Sequence, residues 1–86
     1  MEENEIFYLL GYIKVSPTRT KTLKAVKTMK MPSEIAREND LRETQVSNAL
    51  SGLKSKKLAV CLNEQATKGR LYKITPLGLE VLKYLE

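Results

Sequence analysis

Apolar residues recur along most of the chain at the spacing of one helix face. An α-helix has about 3.6 residues per turn, so residues three and four positions apart share a face. This spacing predicts helices over residues 5–15, about 17–28, about 32–39, 43–57 and about 76–85. Residues 5–15 are apolar on nearly every face, and a strand is the alternative there because Phe, Tyr, Ile and Val also favour sheets.

Helix start signals support these positions. Ser16-Pro17 and Thr75-Pro76 each place a capping hydroxyl before a proline at the first helical position, where the missing N–H is not needed. Pro32 is expected to start the short third helix in the same way.

Two short segments before the last helix alternate apolar and polar residues, as strands do. Val60 and Leu62 alternate within residues 58–63, and residues 70–75 show the same pattern. Residues 64–70 join the two and carry glycine and basic residues. The predicted fold class is therefore mainly α with a small β-hairpin, in the order helix, helix, short helix, helix, hairpin, helix.

The outer face of the 43–57 helix has an unusual composition. Val46, Ala49, Leu50 and Leu53 form its apolar stripe. The opposite side carries small polar residues, namely Thr44, Ser47, Asn48, Ser51 and Ser55. Glu, Lys and Gln are better helix formers than Ser, Thr and Asn, so helix stability does not explain this choice. The pattern favours a surface that makes contacts.

Length and hydropathy limit the architecture. The 86 residues, 42% of them apolar, suffice for one globular domain over residues 1–86 and are too few for two. No apolar run reaches the roughly 18 residues of a membrane span, and the acidic start is unlike a secretory signal. We therefore expect a cytoplasmic protein without a membrane partner.

Several residue types that metal sites and hydrolytic sites use are missing from the sequence. The chain has no histidine and one cysteine, Cys61, which excludes an internal disulfide, the usual zinc ligand sets and histidine-dependent triads. We expect no enzymatic activity, no metal site and no cofactor. A redox sensor is the alternative to an ordinary strand residue for Cys61, and the lack of a second cysteine favours the strand residue.

Basic residues cluster along the chain, whose net charge is +5. Residues 14–30 carry only basic charges, and further basic clusters lie at 54–57 and 68–73, whereas acidic residues gather at 2–5 and 34–43. Solvation accounts for any single lysine. Separate clusters indicate a polyanionic partner, because cations that neutralise phosphates release counterions.

Residues 17–85 resemble winged helix-turn-helix regulators of the MarR and ArsR types, and most closely their small archaeal single-domain members. The segment PSEIARENDLRETQVSNALSGLKSKKLAV is similar to the helix-turn-helix of that family, and KGRLYKITPLGLEVL is similar to its wing strand and following helix. The order and spacing of these motifs carry the resemblance. The chain departs from the pattern at Asn39-Asp40, where the family has a turn glycine, and at Met31 and Arg42, where it has capping Ser or Thr.

The resemblance implies sequence-specific binding of double-stranded DNA by a transcriptional regulator. In such proteins the recognition helix, here 43–57, lies in the major groove and its first turns approach base edges. The contacts that carry over to this sequence are Arg42, Thr44, Gln45, Ser47, Asn48 and Ser51. Gln45 and Asn48 suit adenine, and Arg42 suits guanine.

The basic residues around this helix are expected to neutralise phosphates. They are Lys54, Lys68, Arg70 and the lysines of the 17–28 helix. The wing, about residues 64–70, is expected on the backbone or in the minor groove.

The terminal helices, about 5–15 and 76–85, carry more apolar surface than one small core needs, which predicts a homodimer. The expected interface residues are Phe7, Tyr8, Tyr12, Leu79 and Leu82. A two-fold dimer places recognition helices about 34 Å apart and predicts an inverted-repeat site.

A winged-helix protein–protein interaction module within a transcription or processing complex is the alternative function. Such an interface favours aromatic or aliphatic anchors, whereas the outer face of the 43–57 helix is Thr, Ser and Asn. RNA binding ranks third because no aromatic platform for bases is evident. The sequence leaves a small-molecule effector open.

Overall fold

The computed structural model describes residues 3–85, which form five helices and a two-stranded antiparallel sheet. The elements in chain order are α1 (Glu3–Lys14), α2 (Pro17–Ala25), α3 (Pro32–Asn39), α4 (Glu43–Ser55), β1 (Ala59–Cys61), β2 (Tyr72–Ile74) and α5 (Pro76–Lys83). The predicted order of elements is confirmed, and the 5–15 segment is a helix and not a strand.

The ends of α2 and α4 come earlier than predicted, and both have a clear structural reason. The chain leaves α2 at Val26, whose carbonyl accepts a hydrogen bond from the Ile74 N–H at 2.8 Å, so the segment expected to stay helical to residue 28 lies against β2. At the end of α4, Lys57 takes a left-handed conformation with φ of 63°, and the Leu58 N–H returns to the Leu53 carbonyl at 2.8 Å. This geometry stops α4 at residue 55 and turns the chain into the hairpin.

A third segment of the chain pairs with the sheet, and the sequence pattern does not reveal this pairing. In the hairpin, Val60 pairs with Lys73 in the antiparallel register of β1 and β2. On the other side of β2, Lys30 and Tyr72 exchange backbone hydrogen bonds of 3.0 and 2.8 Å. The segment just before α3 is therefore tied to the base of the wing.

The core lies where α1, α2, α4 and α5 meet the base of the hairpin. Its fully buried large side chains include Ile13, Leu23, Leu50, Leu53, Leu58 and Leu82. Burial of a leucine side chain contributes roughly 1.5–3 kcal/mol to folding stability, so these residues hold the inner face of α4 against the core.

The sequence-based expectation for Leu82 is wrong. Leu82 was expected on a dimer interface, but its side chain is only 1% exposed and belongs to the core of the chain. The α5 helix turns this residue inward together with Val81, and Leu79 faces outward.

Hydroxyl caps begin α2 and α5 as predicted: Ser16 Oγ accepts from the Arg19 N–H at 3.2 Å, and Thr75 Oγ1 accepts from the Gly78 N–H at 3.0 Å. The helices without a capping side chain use the third helical residue instead. Glu34 Oε1 accepts from the N–H of Met31 at 2.8 Å, at the start of α3.

Between α3 and α4, Asp40 has a φ of 55° and a ψ of 46°. This left-handed residue fills the turn position where a glycine is common, as its side chain type allows.

Candidate nucleic-acid interface

The small polar residues of α4 lie on its solvent side. Thr44, Ser47, Asn48, Ser51 and Ser55 are all exposed, whereas Val46, Ala49, Leu50 and Leu53 of the same helix are buried. The apolar stripe holds the helix against the core, so the opposite hydroxyl and amide groups are available to a ligand. This is the outward orientation expected for a recognition helix.

The flank of α4 that faces the wing forms an open cleft of about 670 Å³. Glu43, Ser47, Ser51 and Lys54 line it from α4. The opposite wall consists of the wing residues 67–70, Tyr72 of β2 and residues 31–33 at the start of α3. The cleft therefore brings hydroxyls together with the cations of Lys54, Lys68 and Arg70, which outnumber the Glu43 carboxylate, and this composition suits phosphate oxygens.

The opposite flank of α4 faces the start of α2. Gln45 and Asn48 line a smaller cavity of about 240 Å³ with Ser16, Thr18 and Arg19. The predicted base-reading residues thus divide between two flanks: Ser47 and Ser51 on the wing side, and Gln45 and Asn48 on the α2 side, with Thr44 between them.

Gln45 also has a structural role that the sequence analysis missed. It is the third residue of α4, and its Oε1 accepts a hydrogen bond from the backbone N–H of Arg42 at 3.0 Å. A glutamine three residues after the N-cap is a known signal for this bond and was available in the sequence. Arg42 itself is exposed and has no side-chain cap to make, so its guanidinium is accessible.

The wing is held in shape by its own hydrogen bonds. The Oδ1 of Asn63 accepts from the Leu71 N–H at 2.7 Å, and its Nδ2 donates to the Gly69 carbonyl at 3.1 Å. The Nε of Arg70 donates to the Ala66 carbonyl at 2.8 Å. Asn63 closes the loop and was not among the predicted site residues.

Lys54 forms an ion pair with Glu64, which lies at the beginning of the wing loop. Both side chains are exposed, with 44% and 57% of their area accessible. The hydrogen bond to Glu64 raises the pKa of Lys54 above its ordinary value, and the same bond lowers the pKa of the Glu64 carboxyl, with a smaller contribution from the charge of Arg70. The cation expected to meet a phosphate is thus already paired within the protein.

Three of the predicted dimer-interface residues are exposed apolar side chains on the terminal helices. Phe7 and Tyr8 of α1 are 56% and 62% exposed, and Leu79 of α5 is 43% exposed. Tyr84 extends this surface, because its ring meets the edge of Phe7 at a centroid distance of 6.2 Å.

Tyr12, also predicted at the interface, is half-buried and packs against the core of the chain. Its hydroxyl lies where a Cβ on Gly52 of α4 would stand. The Arg19 guanidinium lies 4.1 Å from its ring centre, and the Lys56 ammonium lies 5.4 Å from it. Tyr12 therefore anchors α1 to the second half of α4.

Cys61 lies in β1, half-buried, with its Sγ 3.7 Å from Asn63 Oδ1. Within residues 3–85, no three His, Cys, Asp or Glu side chains are grouped so that they would hold a metal ion. None of the helices in this range is long and apolar enough to cross a membrane.

Comparisons with known proteins give an informative match at the level of structure. No family profile and no curated protein sequence matches this chain. Among solved structures, it is similar to TubR from Bacillus thuringiensis serovar israelensis pBtoxis, bound to 24 bp of tubC, with a TM-score of 0.79. The superposition covers 93% of this chain and 90% of that chain at 14% sequence identity. The likeness concerns the fold, and it confirms the predicted winged-helix class.

Proposed function

We propose that this protein is a transcriptional regulator that binds double-stranded DNA sequence-specifically, with α4 in the major groove and the wing on the backbone or in the minor groove. The exposed row of hydroxyl and amide groups on α4 carries the proposal. A B-DNA major groove is about 12 Å wide and admits one helix whose side chains reach base edges. The match to TubR, which is bound to 24 bp of tubC, supports the same ligand class.

Electrostatics supports a nucleic acid over a protein as the partner. The chain has a net charge of +5, and the cleft beside α4 presents Lys54, Lys68 and Arg70. The outer face of α4 offers small polar groups, whereas protein interfaces rely on aromatic or aliphatic anchors at their centre. The protein–protein module is therefore the weaker alternative.

The contacts divide by chemistry. Arg42 and Asn48 are the proposed base readers, for guanine and adenine respectively. Asn48 makes no side-chain hydrogen bond among the described residues, whereas Gln45 already shares its oxygen with the Arg42 N–H. We therefore favour Asn48 over Gln45 as the adenine reader, since a bidentate contact requires both ends of the amide. Lys68 and Arg70 are proposed phosphate contacts.

The proposed active form is a homodimer that joins through Phe7, Tyr8, Leu79 and Tyr84. Phe7 and Tyr84 are in edge-to-face contact, and Tyr8 and Leu79 are further exposed apolar side chains of α1 and α5. Terminal helices with such a second apolar face commonly pack against a symmetry mate. The order of the motifs further supports a regulator of the MarR or ArsR type. The proposal also includes a cytoplasmic location and no catalytic activity.

The dimer is tested with Phe7→Glu, with Val15→Glu as the matched control because Val15 is an exposed apolar residue beyond the end of α1. Light scattering at micromolar concentration is expected to give a dimer mass for the wild type and Val15→Glu, and a monomer mass for Phe7→Glu. A monomeric wild type would rule out the dimer.

DNA binding is tested by selection from a random duplex library at physiological salt. We expect enrichment of one inverted-repeat sequence, and a log–log salt slope of about −0.9 for each phosphate neutralised. Recovery of no enriched sequence, together with salt-insensitive binding, would contradict the proposed function.

A further inference from the structure

The Lys54–Glu64 ion pair joins the two elements that the proposed function directs at DNA. Lys54 stands in the last turn of α4 and lines the cleft, and Glu64 opens the wing loop. The Glu64 carboxylate is therefore already bound to the Lys54 ammonium, which is the cation that α4 would otherwise offer to an incoming phosphate in this cleft. The wing also contributes Arg70, whose charge acts on the same carboxylate.

An exposed ion pair of this kind is easily exchanged. Both partners are accessible to solvent, and pairs in such surroundings contribute little to stability. A phosphate oxygen carries the same sign of charge as the carboxylate and accepts the same ammonium hydrogen bonds. Binding a duplex in the cleft would thus replace one anionic partner of Lys54 by another.

We propose that Glu64 is a positioning residue that restrains DNA binding by holding Lys54 in an internal ion pair, which a phosphate must displace. This inference rests on the proposed function. Lys54 then makes its phosphate contact only after the pair breaks, and Glu64 leaves an uncompensated negative charge beside the duplex. Because phosphates carry no sequence information, the restraint acts on duplex of any sequence.

The test compares Glu64→Gln with Glu80→Gln on a random-sequence duplex of roughly 20 base pairs, two helical turns. Glu80 provides a matched control because it also pairs with a lysine, Lys83 at 3.4 Å, but that lysine is on α5 and does not line the cleft, whereas Lys54 does. Both variants change the net charge equally. Dissociation constants are measured over a series of salt concentrations, and circular dichroism checks that the variants fold.

Glu64→Gln is expected to bind about three- to tenfold more tightly at low salt, an effect that fades at high salt. Its log–log salt slope is expected to steepen by about 0.9 per subunit, because Lys54 now releases a counterion from DNA. Glu80→Gln is expected to stay within about twofold of the wild type, since Glu80 and its partner Lys83 both lie on α5 and not on α4 or the wing.

A third variant separates the ion pair from simple repulsion. In a Lys54→Gln background, the gain from Glu64→Gln is expected to shrink markedly, because no ammonium remains to be released. A gain that persists undiminished there would overturn the proposal, and so would equal behaviour of Glu64→Gln and Glu80→Gln. If neither the wild type nor Glu64→Gln binds duplex at low salt, DNA binding itself fails and the inference fails with it.

Discussion

The two flanks of α4 are built in different ways. On the α1 and α2 side, Tyr12 packs on Gly52 and has the Arg19 guanidinium and the Lys56 ammonium near its ring, so van der Waals and cation–π contacts fix this flank. On the wing side, an open cleft lies between α4 and the tip of the loop, and the Lys54–Glu64 ion pair links α4 to the beginning of that loop. The packed flank helps to fix the position of α4, whereas the open flank leaves room for a ligand.

Because of this difference, we expect substitutions in the two places to have different effects on folding stability and on DNA binding. Substitutions at the Tyr12–Gly52 contact are expected to change the free energy of unfolding and to act on DNA only through the position of α4. Substitutions on the open flank are expected to leave stability nearly unchanged and to alter affinity and its salt dependence.

Gly52→Ala is expected to have the largest effect on stability. The new Cβ collides with the Tyr12 hydroxyl, and overpacking of this kind costs about 1–3 kcal/mol against the roughly 1 kcal/mol gained in helix propensity, which leaves a net loss of up to about 2 kcal/mol. Gly11→Ala is the control, because a Cβ there meets nothing within 4 Å, and it is expected to stabilise. Urea unfolding of both variants measures the difference.

The same collision predicts a rescue. With Tyr12→Phe the hydroxyl is gone, and the methyl group that Gly52→Ala adds would meet the ring Cζ atom at 3.5 Å, an ordinary contact. Gly52→Ala is therefore expected to be neutral or stabilising in a Tyr12→Phe background. Equal destabilisation in both backgrounds would show that the hydroxyl does not limit the position of α4.

The next largest effect is on DNA affinity, and it distinguishes a residue that reads bases from one that binds phosphates. Asn48→Ala is expected to weaken binding to the selected sequence by about 1–3 kcal/mol and to leave random-sequence binding nearly unchanged. Lys68→Ala, on the exposed wing, is expected to weaken both equally and to reduce the salt slope by about one. Fluorescence anisotropy with both duplexes distinguishes these outcomes, and an equal loss on both duplexes for Asn48→Ala would remove its base-reading role.

The local features of α4 were predictable because they depend on neighbours in sequence. A period of 3.6 residues places Val46 and Leu50 on one side and Asn48 on the other, whatever the rest of the fold does. The Ser16 and Thr75 caps follow from the same short-range logic. The resemblance to winged-helix regulators then assigned the roles of these elements.

Long-range contacts escaped the sequence analysis. Leu79 and Leu82 both lie on apolar faces of α5, and only the way α5 packs decides that Leu82 enters the core while Leu79 stays exposed. In the same way, no local pattern shows that the Tyr12 ring meets Gly52 or that Lys54 finds Glu64, since each pair joins different elements.

Thr22→Val is expected to stabilise the protein by about 1 kcal/mol. The Thr22 side chain is fully buried in α2, and its hydroxyl has no hydrogen-bond partner among the described residues, so removing that hydroxyl relieves a desolvation cost. Thr20→Val is the matched control two residues earlier. The Thr20 hydroxyl donates to the Ile13 carbonyl at 3.0 Å, and losing it is expected to destabilise by a similar amount. A lower melting temperature for Thr22→Val than for the wild type would contradict this assignment.

The smallest expected effect is the titration of the ion pair on the open flank. The hydrogen bond from Lys54 lowers the pKa of Glu64 in the folded protein, so the pair's contribution to stability is complete above the ordinary pKa of glutamate and is lost as the pH falls through the lowered pKa. Carbon-13 NMR of the Glu64 carboxyl is expected to show this lowered pKa, with a return toward the ordinary value in Lys54→Gln. Because both groups are exposed, we expect the unfolding midpoint in urea at neutral pH to change little in Lys54→Gln. An unchanged Glu64 pKa in that variant would show that the ion pair does not persist in solution and that only the buried contacts of α4 hold it in place.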